Sequence, residues 1–181
     1  MTIHSEHPFL EPAANRDQVR RLRGRLGGQV TLWTAGGGEV PRTGLTVSSR
    51  MIASGEPGHA LALLDPDSDL AATLVRTRTC VMNLLGWEHR DLADAFAGEL
   101  PAPGGRFRMG EWTSSQWGPV LGGVAAWAGL RLVDGELPVV GWSVLADTVI
   151  EQLILGDETE PLLHRRGSYH SPERAAGHRS E

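Results

Sequence analysis

Two periodicities alternate along the chain. Residues 15–26 repeat at helical spacing, with Val19, Leu22 and Leu26 on one face. Asn15 can cap this helix, with Gln18 three residues on as in a capping box, and Gly27-Gly28 stops it. Arg16, Arg20, Arg21, Arg23 and Arg25 cover the remaining faces, as a solvated surface or as an anion-binding one. Residues 29–35 then alternate as a strand, and Gly36-Gly37-Gly38 turns it. Residues 44–54 begin as a strand and fill with hydroxyls, and residues 59–64 form a compact apolar strand. Asp65 to Asp69 reads as a helix start, with Asp65 as cap and Pro66 at the first helical position, and the helix runs over 70–79. A strand follows over 80–85, then a helix over 88–100 that buries Leu92, Ala95, Phe96 and Leu100. Residues 101–118, rich in Pro and Gly and carrying Trp112 and Trp117, read as a long excursion. Two long strands are expected over 124–133 and 139–154, with a turn near Asp134-Gly135, and a short last strand over 161–169. The ends are polar: residues 1–14 read as an arm and 171–181 as a disordered tail, leaving one domain over 15–170.

Five or six strands with two or three helices do not alternate as βαβ units. They predict a mainly β fold, an antiparallel barrel with peripheral helices. No Gly-x-Gly-x-x-Gly opens a helix after a strand, which disfavours a Rossmann nucleotide fold.

Composition narrows the chemistry. The chain has 181 residues, enough to bury a core without staples, and a formal net charge of −5, which argues against nucleic acid as a partner. No apolar run approaches the roughly 18 residues of a membrane-spanning helix, so no membrane partner is expected. Cys80 stands alone, so no internal disulfide forms, cysteine-based zinc sites are excluded, and a reducing cytoplasmic setting is expected. Every basic residue apart from His is Arg, so no lysine Schiff base is available. The seven His residues show no metal-ligand spacing, and no Gly-x-Ser-x-Gly elbow is present. The most informative local feature is the hydroxyl row Thr46, Ser48, Ser49 and Ser54, with Arg50 among them. Strand-end hydroxyls and free amides can hold a phosphate or the polar edge of a heterocycle, and a guanidinium fork suits phosphate. A merely solvated strand end is the alternative.

The order of segments carries a resemblance. Gly44-Leu45-Thr46-Val47-Ser48-Ser49 is similar to the Gly-x-Thr-x-Ser-Ser segment of the flavin reductase-like family, whose members are FMN-binding split barrels. Cys80-Val81-Met82-Asn83-Leu84-Leu85 resembles that family's Phe-x-Val-Asn-x-Leu strand. Leu92-Ala93-Asp94-Ala95-Phe96-Ala97 resembles its Leu-Ala-x-x-Phe-Ala helix, and Pro161-Leu162 through Gly167-Ser168-Tyr169 its closing segment. The resemblance runs from about residue 22 to 170 and implies a dimeric antiparallel split β-barrel with FMN, or the larger FAD, at the subunit interface. It implies hydride transfer from NADH or NADPH to flavin, and delivery of reduced flavin to a partner monooxygenase. By the same resemblance, Thr46, Val47, Ser48 and Ser49 would lie along the isoalloxazine edge and ribityl chain. Arg50, Ser54 and Ser68 would lie toward the phosphate, and Asn83 close to the flavin. The chain departs from the family in two places. The Gly-Asp-His that supplies a histidine near the nicotinamide is replaced by Asp134-Gly135-Glu136-Leu137-Pro138, and Ser68 is flanked by Asp67 and Asp69. The first departure motivates a second reading, a non-catalytic flavin carrier or sensor.

Overall fold

The structure is a computed structural model that describes residues 18–172. The expected arm over 1–14, the cap at Asn15 and the tail from residue 173 onward lie outside the described residues. The elements in chain order are α1 (Gln18–Leu26), β1 (Gly28–Gln29), β2 (Thr31–Gly37), β3 (Val40–Val47), β4 (Arg50–Ala53), β5 (His59–Leu64), α2 (Asp69–Thr77), β6 (Thr79–Leu84) and α3 (Arg90–Ala97). They continue with β7 (Trp112–Ser114), β8 (Pro119–Leu121), β9 (Ala126–Leu132), β10 (Val139–Val140), β11 (Ser143–Leu155), β12 (Leu163–Arg165) and β13 (Ser168–His170).

The main sheet has the order β3-β2-β6-β9-β11-β5-β4, with β10 paired to β11, and every pairing is antiparallel. Its two outer strands, β3 and β4, are neighbours in sequence, separated only by Ser48 and Ser49. Seven strands laid flat would hold their edges about 29 Å apart. Three Cα steps from Val47 to Arg50 reach at most about 11 Å. The sheet therefore curls until its edges meet, which gives the expected antiparallel split barrel.

The curl encloses one core. Trp33, Ala35, Ala60, Ala62, Leu64, Cys80, Leu130 and Ala146 point inward and pack against Leu70, Ala71 and Leu74 of α2. The opposite side of β2 is also covered: Leu32 packs with Leu92, Ala93 and Phe96 of α3 and Leu121 of β8. This explains why β2 is buried at five successive positions, Thr31 to Ala35, rather than alternating. The excursion over 101–118 lies on this outer side. Phe107 and Trp112 stack edge-on around Phe96 with centroids 5.1 Å and 5.9 Å away, and Trp117 lies against Gly129.

Three expectations are corrected locally. The cap of α2 is Ser68, not Asp65: Ser68 Oγ accepts from Ala71 N, while Asp65 shapes the preceding turn by accepting from Asp67 N. The helix expected over 88–100 is shorter, because Gly98 adopts φ 83 after Ala97 and ends it. Leu100 falls beyond that stop and is exposed rather than buried. The long strand expected over 139–154 is two strands, broken by the Gly141-Trp142 turn between β10 and β11. Among the described residues no helix is long and apolar enough to cross a membrane.

Gly44 links two of the recurring segments directly. A Cβ at Gly44 would sit 2.6 Å from Phe96 Cε1, too close for α3 to keep its place. Gly44→Ala should therefore destabilise the fold by about 1–3 kcal/mol, as overpacking of a filled core does. Urea unfolding measures this. Combining it with Phe96→Leu should return part of the loss, and strict additivity of the two changes would refute the contact.

Candidate functional site

The crossing from β3 to β4 gathers the polar groups. Ser49 O accepts from Leu63 N at 2.9 Å, which ties the crossing to β5. The Ser49 hydroxyl is buried and has no hydrogen-bond partner. Beside it the half-buried Arg50 donates from Nη2 to Gln29 O at 3.2 Å. Desolvation pulls the Arg50 guanidinium below its ordinary pKa. Among the described residues no carboxylate lies within ion-pair distance of it. Ser48, also half-buried, faces β1, where a Cβ on Gly28 would stand 3.7 Å from Ser48 O. A partly desolvated cation with a single carbonyl partner, next to an unpaired hydroxyl, is an incomplete polar set. An anion carrying several acceptor oxygens completes it.

The other expected residues are distributed around this corner. Thr46 Oγ1 donates to Ala93 O of α3 at 2.6 Å, so its hydroxyl is left only as an acceptor. Val47 is a core side chain and offers the site its backbone alone. Ser68 caps α2, accepting from Ala71 N at 3.2 Å and donating to Asp65 O at 2.7 Å. It follows β5 at the end where Leu63 meets Ser49. Asp67 and Asp69 are exposed, so water screens both carboxylates. Ser54 is exposed past the far end of β4. Asn83 is fully buried: Nδ2 donates to Leu32 O at 3.1 Å and Thr34 Oγ1 at 3.3 Å, and Oδ1 accepts from Leu121 N at 2.9 Å. Its polar atoms tie β6 to β2 and β8, so it supports the corner from behind.

The β12–β13 hairpin and Trp142 also border this region. Gly28 of β1 pairs with His164 of β12, which brings the β12–β13 hairpin alongside Ser48. His164 lies edge-on to Tyr169 at 5.6 Å, and burial, with Asp94 nearby, raises the Tyr169 hydroxyl above its ordinary pKa. The closing Pro-Leu…Gly-x-Tyr segment was the available signal. Trp142 stands at the tip of the β10–β11 turn and is 73% exposed. Val144 pairs with Leu64, so this ring sits at the same end of β5 as the Ser49 contact. Gly141 before it marks the turn.

This arrangement belongs to a recognisable class, a split barrel with an incompletely paired polar corner at its edge crossing. Residues 23–173 match the family described as flavin reductase like domain. The chain is a member of that family. It is 30% identical over 161 residues to the FMN reductase (NADH) RutF of Ancylobacter novellus, covering 88% of this chain and 87% of that protein. It is 25% identical over 171 residues to the protein of the same name from Serratia proteamaculans, covering 94% and 95%. Among solved structures, nitrilotriacetate monooxygenase component B from Mycobacterium thermoresistibile superposes with a TM-score of 0.78 at 21% identity, covering 90% of this chain and 89% of the other. At that identity the likeness is one of fold.

The His164 ring titrates below its ordinary value near 6.5, first through burial and then through Arg23, with Asp94 opposing and His170 adding slightly. Between the folded and unfolded values the unfolded chain holds the extra proton, so stability rises with pH across that window. The contribution is complete above about pH 6.5 and fades as pH falls toward the folded value. His89, lowered chiefly by burial, acts in the same sense. Urea midpoints measured from about pH 5 to about pH 8 should rise in the parent, and His164→Gln should flatten part of that rise. An unchanged profile in the variant would show that the ring is solvated.

Proposed function

We propose that the protein is an NADH-dependent flavin reductase that binds FMN at the β3–β4 crossing and works as a homodimer. The observation that carries this reading is the buried, unpartnered Ser49 hydroxyl beside the half-buried Arg50, in a chain that belongs to the flavin reductase-like family. Both groups fit FMN. Its phosphate answers the guanidinium, and the ribityl oxygens or the ring edge answer the hydroxyls and free amides of Ser48 and Ser49. Ser68 lies at the start of α2, where the helix dipole favours an anion. The bound flavin supplies the redox chemistry, taking up two electrons and protons at the expense of reduced nicotinamide. The protein's part is to hold the ring, orient it and keep water off one side. That requires no strongly acidic or basic catalytic group.

A dimer is favoured by the apolar surface next to the corner. Met51 is 68% exposed and Ile52 49%, both on β4, and Val139, Val140 and Trp142 stand exposed on the β10–β11 hairpin. Large apolar side chains left exposed in this number near one corner are in keeping with a protein interface. In one chain the corner is an open edge. A second copy resting on β4 would convert that edge into a cleft. The RutF names support NADH as reductant, and the likeness to a monooxygenase component supports a partner oxygenase as acceptor of reduced flavin. The carrier or sensor reading rests on the missing Gly-Asp-His. Neither the turn at Asp134-Gly135 nor the one at Gly141-Trp142 carries a histidine.

One set of assays decides between them. FMN fluorescence should be quenched on titration at micromolar protein or below, and FMN-dependent oxidation of NADH should exceed that of NADPH. Arg50→Gln should weaken FMN about tenfold and leave riboflavin, which lacks the phosphate, unaffected. Quenching without NADH turnover would favour the carrier reading, and no quenching at all would dismiss both.

A further inference from the structure

We propose that the cavity at the β2–β3 turn is a second site, separate from the flavin corner, that recognises a phosphate monoester on a small organic body. The cavity has a volume of about 400 Å³ and is walled by three separate segments. The Gly36-Gly37-Gly38 turn and Arg42 form one side. Arg76, Thr77 and Thr79, at the junction of α2 and β6, form the second, and the residues from Ser114 to Pro119 form the third. Along β3, Arg42 stands about 20 Å from Ser48, so the two sites lie toward opposite ends of that strand.

The side chains that line this cavity carry charge of one sign, and Glu39 is exposed on the turn beside it. Arg42 and Arg76 both line the cavity, and among the described residues neither has a carboxylate within ion-pair distance. Arg42 has only a distant ring contact, 6.0 Å from the Phe107 centroid. No Asp or Glu lines the walls. The nearest carboxylate behind the Trp117 wall, Glu151, is already held by Arg131 at 2.5 and 3.1 Å and by Trp117 Nε1 at 2.7 Å. A chain of net charge −5 thus places two arginines that lack carboxylate partners on the walls of one hollow.

The remaining walls suit oxygen-rich anions. Gly36, Gly37 and Gly38 all have positive φ, and nothing lies within 4 Å of the place a Cβ would take on Gly37 or Gly38. Bare backbone of this kind lets a ligand approach the amides closely. The exposed Ser114 hydroxyl and Gln116 amide stand opposite, and neither is engaged in a hydrogen bond within the described structure. Thr77 is committed to Thr73 O and Thr79 O, and Ser115 to Gly118 O, so these two shape the wall rather than bind. Two planar forks with hydroxyl and amide donors match the tetrahedral oxygens of phosphate. The volume exceeds what a bare ion fills and falls in the range of small-molecule sites.

Calorimetric titration of the intact protein tests the site with three probes: inorganic phosphate, AMP, and citrate as an anion of carboxylates only. AMP should bind more tightly than phosphate, and citrate more weakly than AMP. Arg42→Gln and Arg76→Gln should each weaken AMP about tenfold or more, while Arg50→Gln at the flavin corner should leave it unchanged. Both arginines are exposed, so melting temperatures of the two variants should match the parent, which separates lost binding from lost fold. No heat with phosphate or AMP up to about 10 mM would overturn the site. So would unchanged affinity in both variants, a loss caused by Arg50→Gln instead, or citrate binding as tightly as AMP.

Discussion

The structure hangs on the shortness of one link. Ser48 and Ser49 join strands that would otherwise lie at opposite edges of a seven-strand sheet, and so few residues force those edges together. The same link cannot take full part in the ladder, because at that point the backbone is leaving one edge for the other. Its amides and hydroxyls are therefore left without partners at the place where the barrel closes. Closure and the unpartnered polar groups thus have one cause. A longer loop would relieve the curl and satisfy these groups with water, and a regular strand would pair them. The polar corner follows from the geometry of closing the barrel.

Around that link, the residues that mark the family serve each other before they serve a ligand. Gly44 makes room for Phe96, Thr46 anchors α3 through Ala93, and Asn83 stitches three strands with every polar position used. Buried amides in this state are costly to disturb, since each lost partner leaves a desolvated group behind. Their effect on the corner is positional. They fix β3 in register with β2 to within one residue, and a slip of one would turn the Thr46 hydroxyl inward and expose Val47.

Much of this was legible along the chain, for identifiable reasons. Strands bounded by turn residues, such as His59–Leu64, declare themselves because a short apolar run and flanking Gly and Asp agree. The hydroxyl row was visible because four hydroxyls and an arginine crowd one stretch of chain at a strand end. What composition could not reveal was which hydroxyls are already spent. Ser68 and Asp65 are both good caps, and only the backbone decides that Ser68 takes the role while Asp65 shapes the turn before it. Asn83 reads equally as ligand contact or strand tie until Leu121 is brought over it by an excursion that follows no periodicity. The helix ending at Ala97 was overextended because Leu100 keeps the helical spacing although Gly98 has already broken the backbone.

The distribution of arginine gives the molecule its polarity. With no lysine in the chain, every fixed side-chain cation is a planar fork, suited to bidentate oxygen ligands and strongly charged at any working pH. Arg131 is consumed by Glu151, and Arg78 by the carbonyls of Leu132 and Val133. Arg50 is partly committed to one carbonyl, and Arg42 and Arg76 to no carboxylate. An acidic protein repels anions at long range, so a phosphorylated ligand gains nothing from bulk steering and depends on local, partly desolvated cations. On the proposed reading of the β3–β4 corner, affinity would reside in a few short contacts, with the partly buried Arg50 supplying the one that counts most.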